Sequence, residues 1–384
     1  MSVTAISGTA TTAKINSARI PVDMEKDIAL YQPDANPFLT ILMKLKKIKA
    51  KQSKHEWLDR KPMPSYVTAS AAADLTGAQT LTIADWALLR IGEVLINDRT
   101  GEVIRVSAAP TTSTVAVVRG AGTTHAAILG TDKLFRAGTA SEQGSAQPAA
   151  KTVQDTNAHN YCQIFKNAAK LTGTLNATEL YGSPQRAVER KIAAMEHKLD
   201  MEYAICFGEL AVTTGENGDP LYQMKGLFSP AGFVSTNRAD AVDGFTEEDF
   251  DEYCSPAFNY GTDIKLGVGG DISLRSINSF AKDKLQVIHP SGDKSKISYG
   301  ITVTTWNHSR GTINIVRNRA WKGDYSSRAF GLLDLKYLAL CPLRDTTMEP
   351  NVQKPGTDVL EDLWLTEQTL MCRVEEAHAF IENM

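Results

Sequence analysis

The segment "SPQRAVERKIAAMEHKLDMEYAICFGEL", from Ser183 to Leu210, predicts a long amphipathic helix. Ser183 is a favourable N-cap residue, and Pro184 suits the first helical position because that position needs no backbone N–H donor. Apolar residues recur at steps of three and four and form one stripe: Val188, Ile192, Met195, Leu199, Tyr203, Cys206 and Leu210. A helix of about 27 residues would be about 40 Å long, which suits a central spine.

The region before this helix, residues 66–145, predicts a small β-module. Short alternating runs are separated by Gly, Pro, Asn and Asp, a pattern typical of a small barrel or sandwich. The predicted strands are Thr80–Ile83, Glu93–Ile96, Glu102–Val106, Thr114–Val118 and Lys133–Arg136. Extended runs, "KHEWLD" and "NYCQIF", flank this region. We therefore expect a long hairpin whose tip is replaced by a module spanning about residues 69–140.

The sequence after the long helix predicts helices and strands that do not alternate regularly. Thr246 and Asp249 form a predicted capping box at the start of one helix, and "DISLRSINSFAKDK" predicts another. Two strands are predicted around a Ser-Arg-Gly turn in "KISYGITVTTWNHSRGTINIVRN". This order favours an α+β fold.

Composition excludes several classes of protein. The chain has 384 residues, 42% of them hydrophobic, and a net charge of −3, so nothing in its overall charge favours nucleic-acid binding. Its five cysteines show no CxxC spacing, which argues against a disulfide framework or a zinc ribbon. No apolar run reaches the length of about 18 residues that a membrane span needs.

Catalytic and ligand-binding patterns are weak throughout. The corner "RGAGTTHA" contains Gly-x-Gly but lacks the spacing of a phosphate loop, so we interpret it as a tight turn. His197 and Asp200 share a predicted helix face, but two groups are too few for a metal site, and we interpret them as surface charges. The acidic cluster Glu247–Glu252 could supply paired carboxylates, although capping explains its first turn.

A run of six lysines lies between residues 44 and 54. It is predicted to contact a neighbouring subunit, with contact to nucleic acid as a secondary role. A solvated face is the alternative interpretation, because charge runs are usually solvent-exposed.

Several segments, taken in order, resemble the major capsid proteins of tailed bacteriophages with the HK97-like fold. "NPFLTIL" followed by "KHEWLDR" is similar to the arm-to-loop segment, and "GEVIRV…VAVVRGAGTTHAAILGTDKL" is similar to a β-domain inserted in the extended loop. "NYCQIFKNAAKLTGT" resembles the return strand, Gly226–Leu227 the step after the spine helix, and "LTEQTLMCRVEEAHAFI" the closing strand. The resemblance runs from about residue 36 to the C-terminus.

The resemblance implies a domain map. Residues 1–50 would form an N-terminal arm, and residues 51–168 an extended loop carrying the inserted β-domain at about 69–140. Residues 169–235 and 325–384 would form a peripheral domain with its spine helix at 183–210. Residues 236–324 would form an axial domain.

The resemblance also implies a non-enzymatic shell protein with no cofactor, catalytic residue or metal site. It would form hexamers and pentamers around double-stranded DNA, with weak or no sequence-specific DNA binding and no membrane contact. A scaffolding protein, a portal and a decoration protein are the implied further partners. The expected locations are the virion and, during assembly, the host cytoplasm. The candidate interface residues are Lys46, Lys47, Lys49, Trp57 and Phe165.

Two alternatives remain open at the level of sequence. One is a hydrolase with a β-rich binding appendage, using Glu247, Glu248 or nearby acids. The other is a different structural protein of a virion or a surface layer.

Overall fold

The computed structural model describes residues 37–45, 47–73, 80–145, 150–179, 184–241, 245–281 and 303–384. The chain divides into two compact units. The first unit comprises the chain up to Glu56 together with His159–Met384, and the second comprises Trp57–Ala158. The predicted arm, residues 1–50, falls largely outside the described residues, as do Lys46 and Ser183.

Six α-helices lie within the described ranges. In chain order they are α1 Pro37–Lys44, α2 Gly173–Ala177, α3 Gln185–Phe207, α4 Glu247–Cys254, α5 Asp271–Ala281 and α6 Asp324–Ser327.

The strands of the described ranges are short in the second unit and longer near the C-terminus. In chain order they are β1 Lys54–Asp59, β2 Tyr66–Thr68, β3 Thr80–Thr82, β4 Glu93–Asn97, β5 Val103–Val106, β6 Thr114–Val118, β7 Lys133–Thr139, β8 Thr156–Tyr161, β9 Gln163–Thr172, β10 Ala211–Thr214, β11 Pro220–Gln223, β12 Arg238–Asp240, β13 Ile264–Gly269, β14 Val303–His308, β15 Gly311–Arg317, β16 Phe330–Leu333, β17 Leu338–Glu349, β18 Val359–Cys372 and β19 Ala379–Glu382. The predicted α+β class is confirmed.

The long helix α3 is shorter than the sequence predicts. Pro184 stands in the N-cap position with non-helical dihedral angles and not inside the first turn. Gly208 leaves the helical conformation and ends the helix after Phe207. At 23 residues, α3 is still the longest helix of the described ranges.

The first unit contains two main sheets. One is three-stranded, in the order β17-β18-β9, and α3 packs against its β9 and β18 strands. The other is six-stranded, in the order β12-β19-β16-β13-β15-β14. Its core includes the rings of Phe250 and Phe330, whose centroids are 5.4 Å apart. Thr246 caps α4 in the predicted capping box with Asp249.

The second unit is a six-stranded β-barrel in the order β2-β7-β4-β5-β6-β3. An antiparallel bridge between Ala69 and Ile83 joins the two ends of this order and closes the sheet. The core consists of inward-facing residues of the strands, including Leu95, Ile104 and Leu134. All five predicted strands are present with ends shifted by a few residues, whereas β2 was not predicted from the sequence. Closure removes the exposed edges that would otherwise invite aggregation.

The face of α3 that meets the sheet is not the predicted apolar stripe. Ala193, His197 and Met201 are buried, whereas Val188, Ile192, Met195 and Leu199 are only partly buried. Tyr203 is 43% exposed. The helix therefore places a mixed polar face against the sheet and keeps its apolar stripe elsewhere.

Candidate functional site

The lysine segment runs beside strand β17. Backbone N–H groups of Ile48 and Ala50 donate to the carbonyl oxygens of Leu340 (3.2 Å) and Pro342 (3.0 Å). This strand-like register buries Ala50 and turns Lys47 and Lys49 outward, where both are exposed. Because successive side chains of an extended chain alternate between faces, the register explains why these lysines point the same way.

Lys47 has one weak ionic contact. Its Nζ lies 4.0 Å from Asp345 Oδ1, and both side chains are largely solvent-exposed. Exposed ion pairs of this kind contribute about 0–1 kcal/mol to the free energy of unfolding, so the contact with Asp345 does little to restrain Lys47.

Helix α1 anchors the start of this segment. Phe38, Leu39 and Leu42 are fully or almost fully buried. The backbone N–H of Leu39, in the first turn of α1, donates to Glu202 Oε2 of α3 at 3.2 Å. A carboxylate at a helix N-terminus pairs an otherwise unsatisfied N–H and interacts favourably with the helix dipole.

Glu202 is a fully buried acid. Its second oxygen accepts a hydrogen bond from Asn318 Nδ2. Burial raises the pKa of Glu202 to about 7, although the hydrogen bonds from Asn318 and Leu39 act in the opposite direction. One side chain thus joins α1, α3 and the segment after β15 and titrates near neutral pH.

Trp57 and Phe165, two of the candidate interface residues, are each only 5% exposed. Trp57 Nε1 donates to Asp59 Oδ2 at 3.2 Å. The ring of Phe165 packs edge-on against His197 of α3, with centroids 6.4 Å apart. Both side chains belong to the packing within one protomer, because a buried ring has little surface left for a neighbour. The resemblance indicated their place in the sequence but not their burial.

His197 corrects the surface-charge interpretation. It is 1% exposed and joins α3 to both neighbouring strands. Its Nδ1 lies 2.7 Å from Asn167 Oδ1 of β9, and its Nε2 lies 2.7 Å from Thr366 Oγ1 of β18. Asn167 in turn donates to Asp200. Burial lowers the pKa of His197, while Asp200 opposes this effect, so the ring acts as a neutral connector.

The glycine corner of the barrel, "RGAGTTHA", surrounds the side chain of Glu102. Glu102 is buried, and its carboxylate accepts hydrogen bonds from Arg119 and from the backbone N–H groups of Gly120 and Ala126. Gly120 and Gly122 have φ values of +61° and +87°, which favour glycine. The corner thus already holds an anion, its own glutamate, where a phosphate loop would hold a ligand.

The Glu102 carboxylate remains ionised within the barrel. Burial by itself raises the pKa of Glu102, but the hydrogen bonds from Arg119, Ala126 and Gly120 lower it overall. The Arg119 side chain is 1% exposed, so the two groups form a buried ion pair. The sequence predicted the turn but not this ion pair. The one feature of the sequence that could have indicated it is that Glu102 directly precedes β5 and Arg119 directly follows β6, at the same end of the hairpin.

The acidic residues of α4 are arranged to cap their own helix and not as a pair of catalytic carboxylates. Glu247 and Glu248 lie in its first turn, and Asp249 is bound to Thr246 in the capping box. Among the described residues, no group of three His, Cys, Asp or Glu side chains is placed to hold a metal ion. No helix of the described ranges is long and apolar enough to cross a membrane.

One Asp-His-Ser grouping lies at the β14–β15 turn. His308 Nε2 is 2.9 Å from Asp251 Oδ1, while His308 Nδ1 accepts from the backbone N–H of Arg310 at 3.0 Å. The hydroxyl of Ser309 donates to Asp251 at 3.1 Å. Ser309 Oγ is 3.5 Å from His308 Nδ1, but this nitrogen already accepts from Arg310 and the hydroxyl donates to Asp251, so the grouping stabilises the turn and does not activate Ser309.

We expect Glu102→Gln to destabilise the barrel strongly. The substitution leaves the Arg119 charge buried without a counter-ion, which costs about 3–5 kcal/mol. Urea denaturation of the unassembled protein measures the loss. Glu361→Gln, which removes the charge of a partly buried acid paired with the exposed Lys170, is the matched control and should cost no more than about 1 kcal/mol. Equal effects of the two substitutions would contradict this assignment.

We expect Glu202 to make stability depend on pH. The folded state raises the pKa of this acid from 4.5 to about 7, so it binds the proton more tightly than the unfolded chain. The contribution of Glu202 to the free energy of unfolding should therefore be largest below about pH 4.5, fall as the pH rises and be lost above about pH 7. This contribution is on the order of 3 kcal/mol.

Denaturation of wild-type protein and Glu202→Gln across this pH range isolates the effect. The difference in the free energy of unfolding between wild type and variant should fall by this contribution across the range, because glutamine does not titrate while the other acids titrate alike in both proteins. Glu361→Gln serves as the control and should follow the wild type. Parallel curves for wild type and Glu202→Gln would refute the assignment.

Known proteins similar to this chain include a phage major capsid protein and two solved chains. The major capsid protein of Pseudomonas phage PaMx41 is 27% identical over 291 residues, covering 73% of this chain and 68% of that protein. A solved structure from Mycobacterium phage Bobi is 9% identical, covers 97% of this chain and 98% of that chain, and has a TM-score of 0.49. The capsid of a native GTA particle is 8% identical, covers 98% and 99% of the two chains, and has a TM-score of 0.48.

The family comparison covers almost the whole sequence and gives no support to the hydrolase alternative. A model described as SU10 major capsid protein matches residues 5–384. The resemblance to phage major capsid proteins is thereby confirmed, and this chain belongs to the SU10 major capsid protein family, which is a family of structural proteins and not of enzymes.

Proposed function

We propose that many copies of this phage major capsid protein assemble into a closed icosahedral shell around the double-stranded DNA of a tailed bacteriophage. The observation that carries the proposal is the match to a major capsid family over residues 5–384. Copies would associate as hexamers and pentamers, since heterologous contacts form rings when the rotation between subunits closes. Individually modest contacts suffice, because a shell repeats them many times.

The proposed HK97-like domain map assigns mechanical roles to the parts. Residues 1–50 would form the arm, 51–168 the extended loop with its inserted β-domain, 169–235 and 325–384 the peripheral domain, and 236–324 the axial domain. The separate compact unit Trp57–Ala158 supports the inserted domain. The length of α3 and its packing on β9 and β18 support its role as the spine of the peripheral domain.

The proposed subunit contacts use the lysine segment. Lys47 and Lys49 are exposed on a strand-like segment held by β17, so their charges are presented from a fixed backbone. Lys46 is proposed with them on the basis of the sequence. An acidic surface of a neighbouring subunit would be the complementary partner.

Further proposed partners are a scaffolding protein, a portal and a decoration protein, with assembly in the host cytoplasm. Direct sequence-specific DNA binding is proposed to be weak or absent. The net charge of −3 supports this, because counter-ion-driven binding to DNA requires a strongly basic surface.

Electron microscopy of the purified protein tests the proposal. We expect shells, tubes or rings of six subunits, formed by the protein alone or with a scaffolding protein added. A protein that stays monomeric at high concentration under both conditions would refute shell formation.

The lysine segment is tested by Lys47→Gln combined with Lys49→Gln. Without DNA, we expect a several-fold loss of particles in sedimentation and microscopy, because an interface charge has lost its complement. Lys354→Gln, at another exposed lysine, is the matched control and should assemble normally. Normal empty particles that fail only to package DNA would instead assign these lysines to nucleic-acid contact.

A further inference from the structure

Strands β10 and β11 form a hairpin whose two faces are largely open to solvent. They make a two-stranded sheet of their own, with Val212 paired to Tyr222 and Thr213 paired to Leu221. Because directly paired residues lie on the same face and successive residues on opposite faces, Val212 and Leu221 point to opposite sides. They are 51% and 45% exposed, respectively. At these two positions, neither face of the hairpin is therefore closed by the rest of the protomer.

The hairpin is held in place at its base and at its tip. At the base, the ring of Tyr222 stacks on that of Tyr161 of β8, with centroids 5.2 Å apart. At the tip, the N–H of Gly215 donates to the carbonyl oxygen of Asp219 at 2.8 Å, and the N–H of Gly218 donates to that of Gly215 at 3.0 Å. An isolated two-stranded hairpin is only marginally stable in water, so a partner that covers one of the open faces would stabilise it.

The hairpin carries negative charge that the described part of the protomer does not neutralise. Between residues 209 and 223 the sequence contains three acids and no lysine or arginine. Glu209, Glu216 and Asp219 are all exposed, and none of them forms an ion pair with a residue that the structure describes. Glu216 and Asp219 belong to the hydrogen-bonded tip, so their two charges are displayed from a fixed backbone.

The lysine segment displays the opposite charge. Lys47 and Lys49 are exposed on a backbone that is hydrogen-bonded to β17. Among the described residues, Lys47 makes one weak contact, 4.0 Å from Asp345, and Lys49 forms no ion pair. Each protomer therefore presents one basic and one acidic surface, and within the described ranges the two surfaces do not neutralise each other.

We propose that the β10–β11 hairpin of one copy binds the lysine segment of a second copy, with Glu216 and Asp219 facing Lys47 and Lys49. The inference rests on the proposed function, because it names the acidic surface that the lysine segment meets in the shell. A second copy is the occupant because it supplies the complement of both surfaces, whereas an unrelated polyanion or polycation would satisfy only one. Such a contact is heterologous, so each copy keeps one free surface for the next copy, and a ring forms when the rotation closes.

A rival acidic surface lies on α4, but several of its charges are used within the protomer. Asp249 closes the capping box of this helix, and Asp251 lies 2.9 Å from His308. Acids in the first turn also interact favourably with the helix dipole. Glu248 and Glu252 remain exposed, so they supply a matched control for the two acids at the hairpin tip.

Charge reversal followed by mixing tests the pairing. The lysine variant combines Lys47→Glu with Lys49→Glu, and the hairpin variant combines Glu216→Lys with Asp219→Lys; all four positions are exposed, so folding should be retained. In sedimentation velocity, each variant alone should associate at least about tenfold more weakly than the wild type, because like charges then face each other. An equal mixture should regain association, because each reversed surface meets its complement on the other variant. Rescue by mixing requires contact between chains and two correctly folded variants.

The control variant combines Glu248→Lys with Glu252→Lys and has the same net charge as the hairpin variant. Mixed with the lysine variant, it should give no rescue, because the acids it reverses do not face the lysine segment.

Three results, obtained while the wild type associates, would overturn the pairing. The first is a mixture that associates no better than its components. The second is equal rescue by the control variant, and the third is normal association of the lysine variant or the hairpin variant alone. Each of these leaves the proposed shell function standing, whereas wild-type protein that stays monomeric with and without a scaffolding protein refutes both.

Discussion

The packing of α3 on β9 and β18 depends on one carboxylate. Asp362 of β18, 1% exposed, accepts hydrogen bonds from Arg186 and Arg190 of α3 and from the backbone N–H of Asn351. Hydrogen bonds from the two arginines hold the pKa of Asp362 far below its usual value despite its burial. Because an unpaired buried charge is strongly unfavourable, this site fixes the rotation of α3 about its axis. The contacts of His197 with Asn167 and Thr366 follow from that rotation.

Three of the buried acids are satisfied in three different ways. Asp362 has two arginines, Glu102 has one arginine and two backbone N–H groups, and Glu202 has only neutral donors. The charged partners keep the pKa values of the first two acids low, whereas burial dominates for Glu202 and brings its pKa to about 7. Two acids therefore act as permanent structural ions, and the third can change its charge near neutral pH at the point where α1 docks.

The chemistry of this capsid protein lies in surfaces and not in a catalytic centre. The features that suggested catalysis in the sequence are explained by local structure: the glycine corner holds Glu102, and the acids of α4 cap their own helix. An exposed feature is the lysine segment beside β17, where Lys47 and Lys49 lie at the surface on a backbone that is hydrogen-bonded to this strand. Such a surface suits a protein whose partners are other polypeptides.

The sequence by itself determined the elements whose signals are local. The periodicity of Val188 to Leu199, the alternation of the barrel strands and the Thr246–Asp249 capping box each involve neighbours within a few residues, and the helix, strands and cap they predict are present. The order of motifs also identified the family. Only the tertiary structure decided which face of α3 is buried, because Asp362, 172 residues away from Arg190, sets its rotation. Distant partners likewise decided the burial of Phe165 and His197 and the near-neutral pKa of Glu202, since burial and hydrogen bonding depend on segments that meet only in the folded chain.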